Sequence, residues 1–222
     1  MNVKIAEIFE SLQGEGIYLG ERQVFIRFFG CNLGCSYCDT PLVDFREYGV
    51  TDLAQEISRF SGYHSISLTG GEPLCQVEFL EAFLKNAASS RIKFYLETNG
   101  TLPSELRRVI DYVSIIAMDF KLPSSGGGDG YWAKHEEFLK IASQRDVFIK
   151  MVVTSNTDVR DITTAAEIIR KVSAAIPVVL QPDGTQWTSL IEKMMLFQRE
   201  LRMRGIHGVK LLPQAHKLVG IK

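Results

Sequence analysis

The chain has 222 residues, a formal net charge of −1 and 45% hydrophobic residues, ordinary values for a folded globular protein. No apolar run approaches the roughly 18 residues of a membrane span, the first residues lack the regions of a secretory signal, and the balanced charge gives no basic stripe for nucleic acid, so neither a membrane nor a nucleic-acid partner is expected. Four cysteines without an export signal point to the reducing cytosol and a cytoplasmic location, where close thiols more often serve as metal ligands or catalysts than as disulfides.

In chain order the pattern predicts a strand at 24–29, helix 52–60, strand 65–69, helix 77–88, strand 93–97, helix 104–110 and strand 114–120. Helix 131–143, strand 147–153, helix 161–174, strand 177–181, helix 189–204 and strand 209–212 follow. The strands are short, rich in Val, Ile and aromatics, and bounded by Gly, Pro, Asn or Ser. Thr51 and Ser104 read as helix N-caps. Such alternation implies parallel strands joined by right-handed crossovers. Six strand–helix units and a final strand are too few for an eight-unit barrel of roughly 250 residues. The expected architecture is α/β, an incomplete (β/α)6-type partial TIM barrel with a C-terminal extension. It is expected as a single domain over 1–222 with a tail at about 205–222. An open doubly wound sheet is the alternative. Segment 124–130, Ser-Ser-Gly-Gly-Gly-Asp-Gly, reads as a flexible surface loop, with a mobile lid as the other reading.

The unusual residues follow the strands. Cys31 to Cys38 come after the first of them, Gly70-Gly71-Glu72-Pro73 after the second and Thr98-Asn99-Gly100 after the third. Asp119 and Lys121 end the fourth, Thr154-Ser155-Asn156 the fifth and Gln181-Pro182-Asp183-Gly184 the sixth. In parallel α/β folds these ends share one face, where sites are built. One composite site is expected.

The strongest motif is Cys31-Asn-Leu-Gly-Cys35-Ser-Tyr-Cys38. Soft thiolates favour iron–sulfur clusters, zinc or copper(I). A structural zinc wants four ligands, usually in two pairs. Cys75 is the only other thiol and has no pair; zinc held by Cys31, Cys35, Cys38 and Cys75 is the competing reading. Three thiols on a four-iron cluster leave one iron open to a small molecule. Cys75 reads as a small buried apolar residue.

The Cys-x3-Cys-x2-Cys spacing, with Tyr37 before the last cysteine, resembles the radical S-adenosylmethionine (SAM) superfamily. The wider pattern is Leu12-Gln13-Gly14-Glu15-Gly16, Arg27, the cysteines with Asp39-Thr40, Thr69-Gly70-Gly71-Glu72-Pro73-Leu74, Glu97-Thr98-Asn99-Gly100-Thr101 and Gln214-Ala215-His216-Lys217. In that order it resembles 7-carboxy-7-deazaguanine synthase. The resemblance implies a [4Fe-4S] cluster on Cys31, Cys35 and Cys38 and SAM chelated at the open iron. The cofactor carries the radical chemistry, so no side chain is catalytic in its own right. It implies conversion of 6-carboxy-5,6,7,8-tetrahydropterin to 7-carboxy-7-deazaguanine with loss of ammonia, on the way to queuosine and other 7-deazapurines. It further implies Mg2+, a homodimer, and flavodoxin or ferredoxin as reductant.

By the same resemblance, Tyr37, Cys38, Asp39, Gly71 and Glu72 contact SAM, and Asp119, Lys121, Gln181 and Asp183 are SAM contacts by position. Thr40, a hard oxygen ligand, would hold Mg2+, which keeps several waters. Leu12, Gln13, Gly14, Glu15, Arg27, Thr69, His216 and Lys222 would bind substrate. Arg27 lies inside Val-Phe-Ile-Arg-Phe-Phe, where a charge needs a partner. Its structural partner would be Glu10 or Glu97, its functional one the substrate carboxylate, gripped by two parallel hydrogen bonds. A glycyl-radical-enzyme activase and a non-enzymatic iron–sulfur or zinc protein are the competing functions.

Overall fold

The computed structural model describes residues 1–38, 43–89, 92–184 and 186–221. Strands β1 (Asn2–Leu12) and β2 (Arg22–Phe28) form an antiparallel pair, and β3 (Arg46–Gly49) adds antiparallel to the far side of β1. Six further strands are β4 (Ser65–Gly70), β5 (Phe94–Thr98), β6 (Ile115–Asp119), β7 (Asp146–Val153), β8 (Val178–Pro182) and β9 (Val209–Leu211). The sheet order is β3-β1-β2-β4-β5-β6-β7-β8-β9, with every pair from β2 to β9 parallel. The crossovers carry α1 (Val50–Ile57), α2 (Val77–Asn86), α3 (Pro103–Val109), α4 (Trp132–Ala142), α5 (Val159–Val172) and α6 (Trp187–Met203), and α7 (Ala215–Val219) ends the described chain.

This is the expected partial barrel of six strand–helix units and a final strand, open rather than closed. The purely parallel expectation needs correction at one edge, where β1 and β3 run antiparallel. A register shift between Ile5 and Glu7 interrupts β1. The extra residue flips the side-chain alternation, so the strand has no continuous period of two to read. The N-caps also differ. Gly49, in extended backbone, precedes α1, and its N–H donates to Asp52 Oδ2 at 3.2 Å. Pro103 opens α3, where its missing N–H costs nothing. Thr51 and Ser104 lie inside their helices.

Strand alternation sorts the residues onto two faces. Outward side chains such as Ile26, Leu68, Leu96, Ile116, Ile149 and Leu180 join the main core beneath the helices. Inward ones form a small second cluster of Tyr95, Ile115, Ala117, Phe148 and Val179. Ile17 and Tyr18, on the 3-10 turn Gly16–Tyr18 between β1 and β2, pack against it from inside the barrel. The barrel floor is therefore apolar and plugged. Two residues further along the same strands, the inward positions become Glu97, Lys150 and Gln181, and these line a cavity.

Segment 124–130 is not the free surface loop expected. Ser125 is buried and donates to Val152 O at 2.9 Å, and Ser124 Oγ donates to Asp161 Oδ2 at 2.5 Å. Gly126 O accepts the Ser36 N–H at 3.2 Å, which ties the segment to the cysteine loop. Its serines supply the hydrogen bonds that anchor it, a role its glycine content masks.

Candidate active site

A cavity of about 440 Å3 opens at the C-terminal ends of the strands. Cys31, Cys35, Cys38, Tyr37, Asp119 and Lys121 line it, together with Gln13, Gly14, Glu15, Arg27, Thr69 and His216. Leu12, Gly71, Gln181 and Asp183 also line it. Asp39, Thr40 and Lys222 lie outside the described residues.

The cysteine loop follows β2. Cys31 Sγ accepts the Leu33 N–H at 3.4 Å and faces Asn99 Nδ2 at 3.9 Å. The Cys38 N–H donates to Cys35 O at 3.2 Å. All are free thiols. Burial, the largest influence, raises both Cys31 and Cys35 from the ordinary thiol range, so a metal must displace their protons to bind. Among the described residues no group of three His, Cys, Asp or Glu side chains is placed to hold a single metal ion. An iron–sulfur cube asks for something else, since each thiolate meets a different iron. Three soft donors on one loop facing one cavity fit that demand. Cys75 is not buried as expected. It is exposed on the 3-10 turn Pro73–Gln76, whose inward places are taken by Pro73 and Leu74, and it does not line the cavity.

Beside this loop, Lys121 Nζ lies 2.7 Å from Asp119 Oδ2 and 5.2 Å from the centre of the Tyr37 ring. Burial alone would lower the Lys121 ammonium; the Asp119 carboxylate outweighs it and the net shift is upward. Asp119 Oδ1 and Gln181 Oε1 are buried acceptors with no hydrogen-bond partner among the described residues. Gly70 has a φ of +112°, and a Cβ there would sit 2.4 Å from Phe28 O, so only glycine lets β4 turn this close to β2. Glu72 stands apart from the other expected contacts. It is fully buried, does not line the cavity, and accepts from Leu74 N (3.1 Å), Asn99 N (2.7 Å) and Thr98 Oγ1 (3.0 Å). Its carboxylate ties the β4 turn to the β5 turn.

The Gln13 amide donates to Gln23 Oε1 (3.0 Å) and Glu97 Oε1 (2.9 Å), and Gln13 Oε1 accepts the Glu15 N–H (3.0 Å). Gln13 thus shapes the loop that presents Gly14 and Glu15. Glu97 Oε2 accepts from Thr69 Oγ1 at 2.7 Å. Arg27 pairs across the strands with Glu7, Nε to Oε2 at 3.1 Å, and its guanidinium lies 5.5 Å from the Phe9 ring centre. The structural partner is therefore Glu7, not Glu10, which pairs with Arg22, nor Glu97. The hairpin register decides this, because the bulge in β1 brings Glu7 opposite Arg27.

The C-terminal segment closes the site. The Ala215 N–H donates to Gly14 O at 2.9 Å, and Gln214 Nε2 donates to Glu15 Oε1 at 2.6 Å. The other Glu15 oxygen meets Lys150 Nζ at 2.5 Å, and Lys150 lies 3.7 Å from Asp119 Oδ2. Burial opposes charge on Lys150, but Glu15, Asp119 and Glu97 hold it well above the usual lysine value. Lys150 thus links Glu15 to Asp119. Lys150 carries no expected site role from sequence, and Glu97 and Gln214 stand there only as members of their motifs, with Glu97 also a candidate partner for Arg27. The signal at Arg27, a charge inside an apolar strand, is equally present at Lys150 in Val-Phe-Ile-Lys-Met-Val-Val.

Residues 25–169 match the Radical SAM superfamily. A 7-carboxy-7-deazaguanine synthase of Geobacter sulfurreducens is 39% identical, over 98% of this chain and 97% of its own. One from Archaeoglobus fulgidus is 33% identical over the full length of both. The chain belongs to the 7-carboxy-7-deazaguanine synthase family of radical SAM enzymes. The crystal structure of QueE from Escherichia coli superposes with a TM-score of 0.67 over 97% of this chain and 95% of that one, at 24% identity, and so shows the same fold. Membership implies a [4Fe-4S] cluster and SAM as cofactors and sets aside the activase and non-enzymatic readings. No helix among the described residues is long and apolar enough to cross a membrane.

Proposed function

We propose that this enzyme converts 6-carboxy-5,6,7,8-tetrahydropterin to 7-carboxy-7-deazaguanine and ammonia, supplying queuosine and related 7-deazapurines. The observation that carries the reading is a single cavity lined by three free thiols and by cationic, amide and carboxylate side chains. Cys31, Cys35 and Cys38 would hold the cluster. When bound with SAM, it supplies the radical chemistry that no side chain here can provide.

The chain's residues then do the binding. Asp119 Oδ1 and Gln181 Oε1 have no donor among the described residues, which suits the hydroxyls of a nucleoside, and Tyr37 offers an aromatic face. Gly71 brings backbone close, while Glu72 holds that backbone in place and Lys121 and Asp183 border the pocket. Arg27 takes the substrate carboxylate by parallel charge-assisted hydrogen bonds. Gly14, Glu15 and His216 face the pterin, and Gln13, Leu12 and Thr69 shape that wall. A site that satisfies each polar edge rejects analogues that leave its groups unpaired. The tail over Gly14 excludes water.

The reading extends to Mg2+ at Thr40, a contact from Asp39 to SAM and from Lys222 to substrate, a single-domain homodimer in the reducing cytosol, and flavodoxin or ferredoxin as electron donor. The four free cysteines support that compartment. Anaerobically reconstituted protein with carboxytetrahydropterin, SAM, Mg2+ and dithionite is expected to yield the deazaguanine by mass spectrometry. A fully reconstituted protein that forms none refutes the proposal.

A further inference from the structure

Asn99 is the first residue past β5, on the cavity wall beside the cysteine loop. It is held from every direction. Its backbone N–H donates to Glu72 Oε2 at 2.7 Å, and its carbonyl accepts from His135 Nε2 at 3.1 Å. Its Oδ1 accepts from Thr101 N at 3.0 Å and Thr101 Oγ1 at 2.6 Å. One amide hydrogen goes to Asn32 Oδ1 at 2.9 Å, and Asn32 Nδ2 donates to Thr101 Oγ1 at 2.9 Å, closing a ring of three side chains. That leaves the second amide hydrogen for Cys31 Sγ, 3.9 Å away, within the longer reach of a sulfur acceptor. As a thiol, Cys31 itself reaches toward Asn32 Oδ1 at 4.0 Å. As a thiolate it has no hydrogen to give and can only accept.

A cluster gains one negative charge when it takes up one electron, and its sulfur ligands share that charge. The positive end of an N–H aimed at a thiolate stabilises the reduced form more than the oxidised form, which raises the potential. A donor already fixed by other bonds does this without reorganising. We propose that Asn99 is a positioning residue whose pinned amide donates to the Cys31 thiolate and sets the cluster's reduction potential. Thr101 and Asn32 fix the amide plane, and Glu72 and His135 fix the backbone that carries it. The inference rests on the radical SAM reading of the three thiols.

The test is a dithionite redox titration of reconstituted wild type, Asn99→Leu and Thr101→Val at one pH without SAM, followed by electron paramagnetic resonance. Iron and sulfide are measured alongside, with about four of each per chain expected. Asn99→Leu is expected to move the midpoint to a more negative value at full iron content. Thr101→Val, which keeps the amide but loosens its plane, should move it the same way by less. A purely structural role would change iron content or thermal stability and leave the midpoint of fully loaded protein alone. A fully loaded Asn99→Leu with the wild-type midpoint overturns the inference. If that variant loses iron, a fully loaded Thr101→Val with an unchanged midpoint overturns it instead. Wild type that assembles no cluster would refute the proposed function itself, a separate outcome.

Discussion

Gly14→Ala tests how the C-terminal segment is seated. Gly14 lies outside the left-handed region, so alanine fits its backbone and only the contact changes. A Cβ at this position would lie 2.1 Å from His216 Nδ1, 2.6 Å from Cγ and 2.7 Å from Cβ. Because the His216 Cβ is itself too close, rotating the ring cannot relieve the clash, and the tail backbone must move. That movement breaks the Ala215 N–H to Gly14 O bond and the Gln214 to Glu15 bond. A neutral hydrogen bond contributes about 1 kcal/mol and one to a carboxylate about 2 kcal/mol. The loss of about 3 kcal/mol corresponds to a roughly 100-fold rise in the open population of the tail. Amide exchange at Ala215 and tryptic cleavage after Lys217 should both accelerate on that scale. Cluster content and global stability should hold, while KM for the pterin rises. Exchange and cleavage within twofold of wild type would refute the steric reasoning.

Arg27→Ala should weaken pterin binding by about 10- to 100-fold, the worth of a charge-assisted pair, and leave SAM binding unchanged by calorimetry; equal loss of both would mark Arg27 as a folding residue. Cys75→Ser should keep full iron and sulfide content, because Cys75 stands outside the cavity, and loss of iron would make it a ligand. Burial holds the His135 imidazole down at about 4. Between pH 6.5 and 4 the unfolded chain then takes up a proton that the folded chain refuses, so this residue's contribution to stability falls as pH falls. From pH 7 to 5 the change is about 2 kcal/mol. Burial pushes Glu72 up to about 7, and its contribution runs the other way over the same range. The two nearly offset in wild type. Urea unfolding at both pH values should therefore show His135→Phe gaining about 2 kcal/mol relative to wild type on going from pH 7 to 5; identical pH dependence would contradict the assignment.

The barrel was legible because its parallel strands are buried on both faces and read as short apolar runs between turn residues. The antiparallel edge was hidden by the bulge after Ile5, which breaks the period of β1, and by the four-residue length of β3. Within the site, motif residues at strand ends could be placed by order alone. The partners of Lys150, Glu97 and Gln214 could not. Their meaning comes from partners far away in sequence, such as Glu15 to Gln214 across 199 positions. Glu72 shows the converse, for its motif points to the cavity while its hydrogen bonds turn it into the scaffold. Gly14 is visible as a motif glycine, but its reason is the histidine ring lying against it.

The proposed chemistry requires a cluster with one iron free of protein thiolate, open to the amino and carboxylate groups of SAM. The most direct measurement is electron paramagnetic resonance of the dithionite-reduced, anaerobically prepared protein before and after SAM is added. A signal that shifts on addition, with carboxylate or amine coupling to one iron, is the predicted result. A centre ligated by four thiolates whose signal ignores SAM would contradict it.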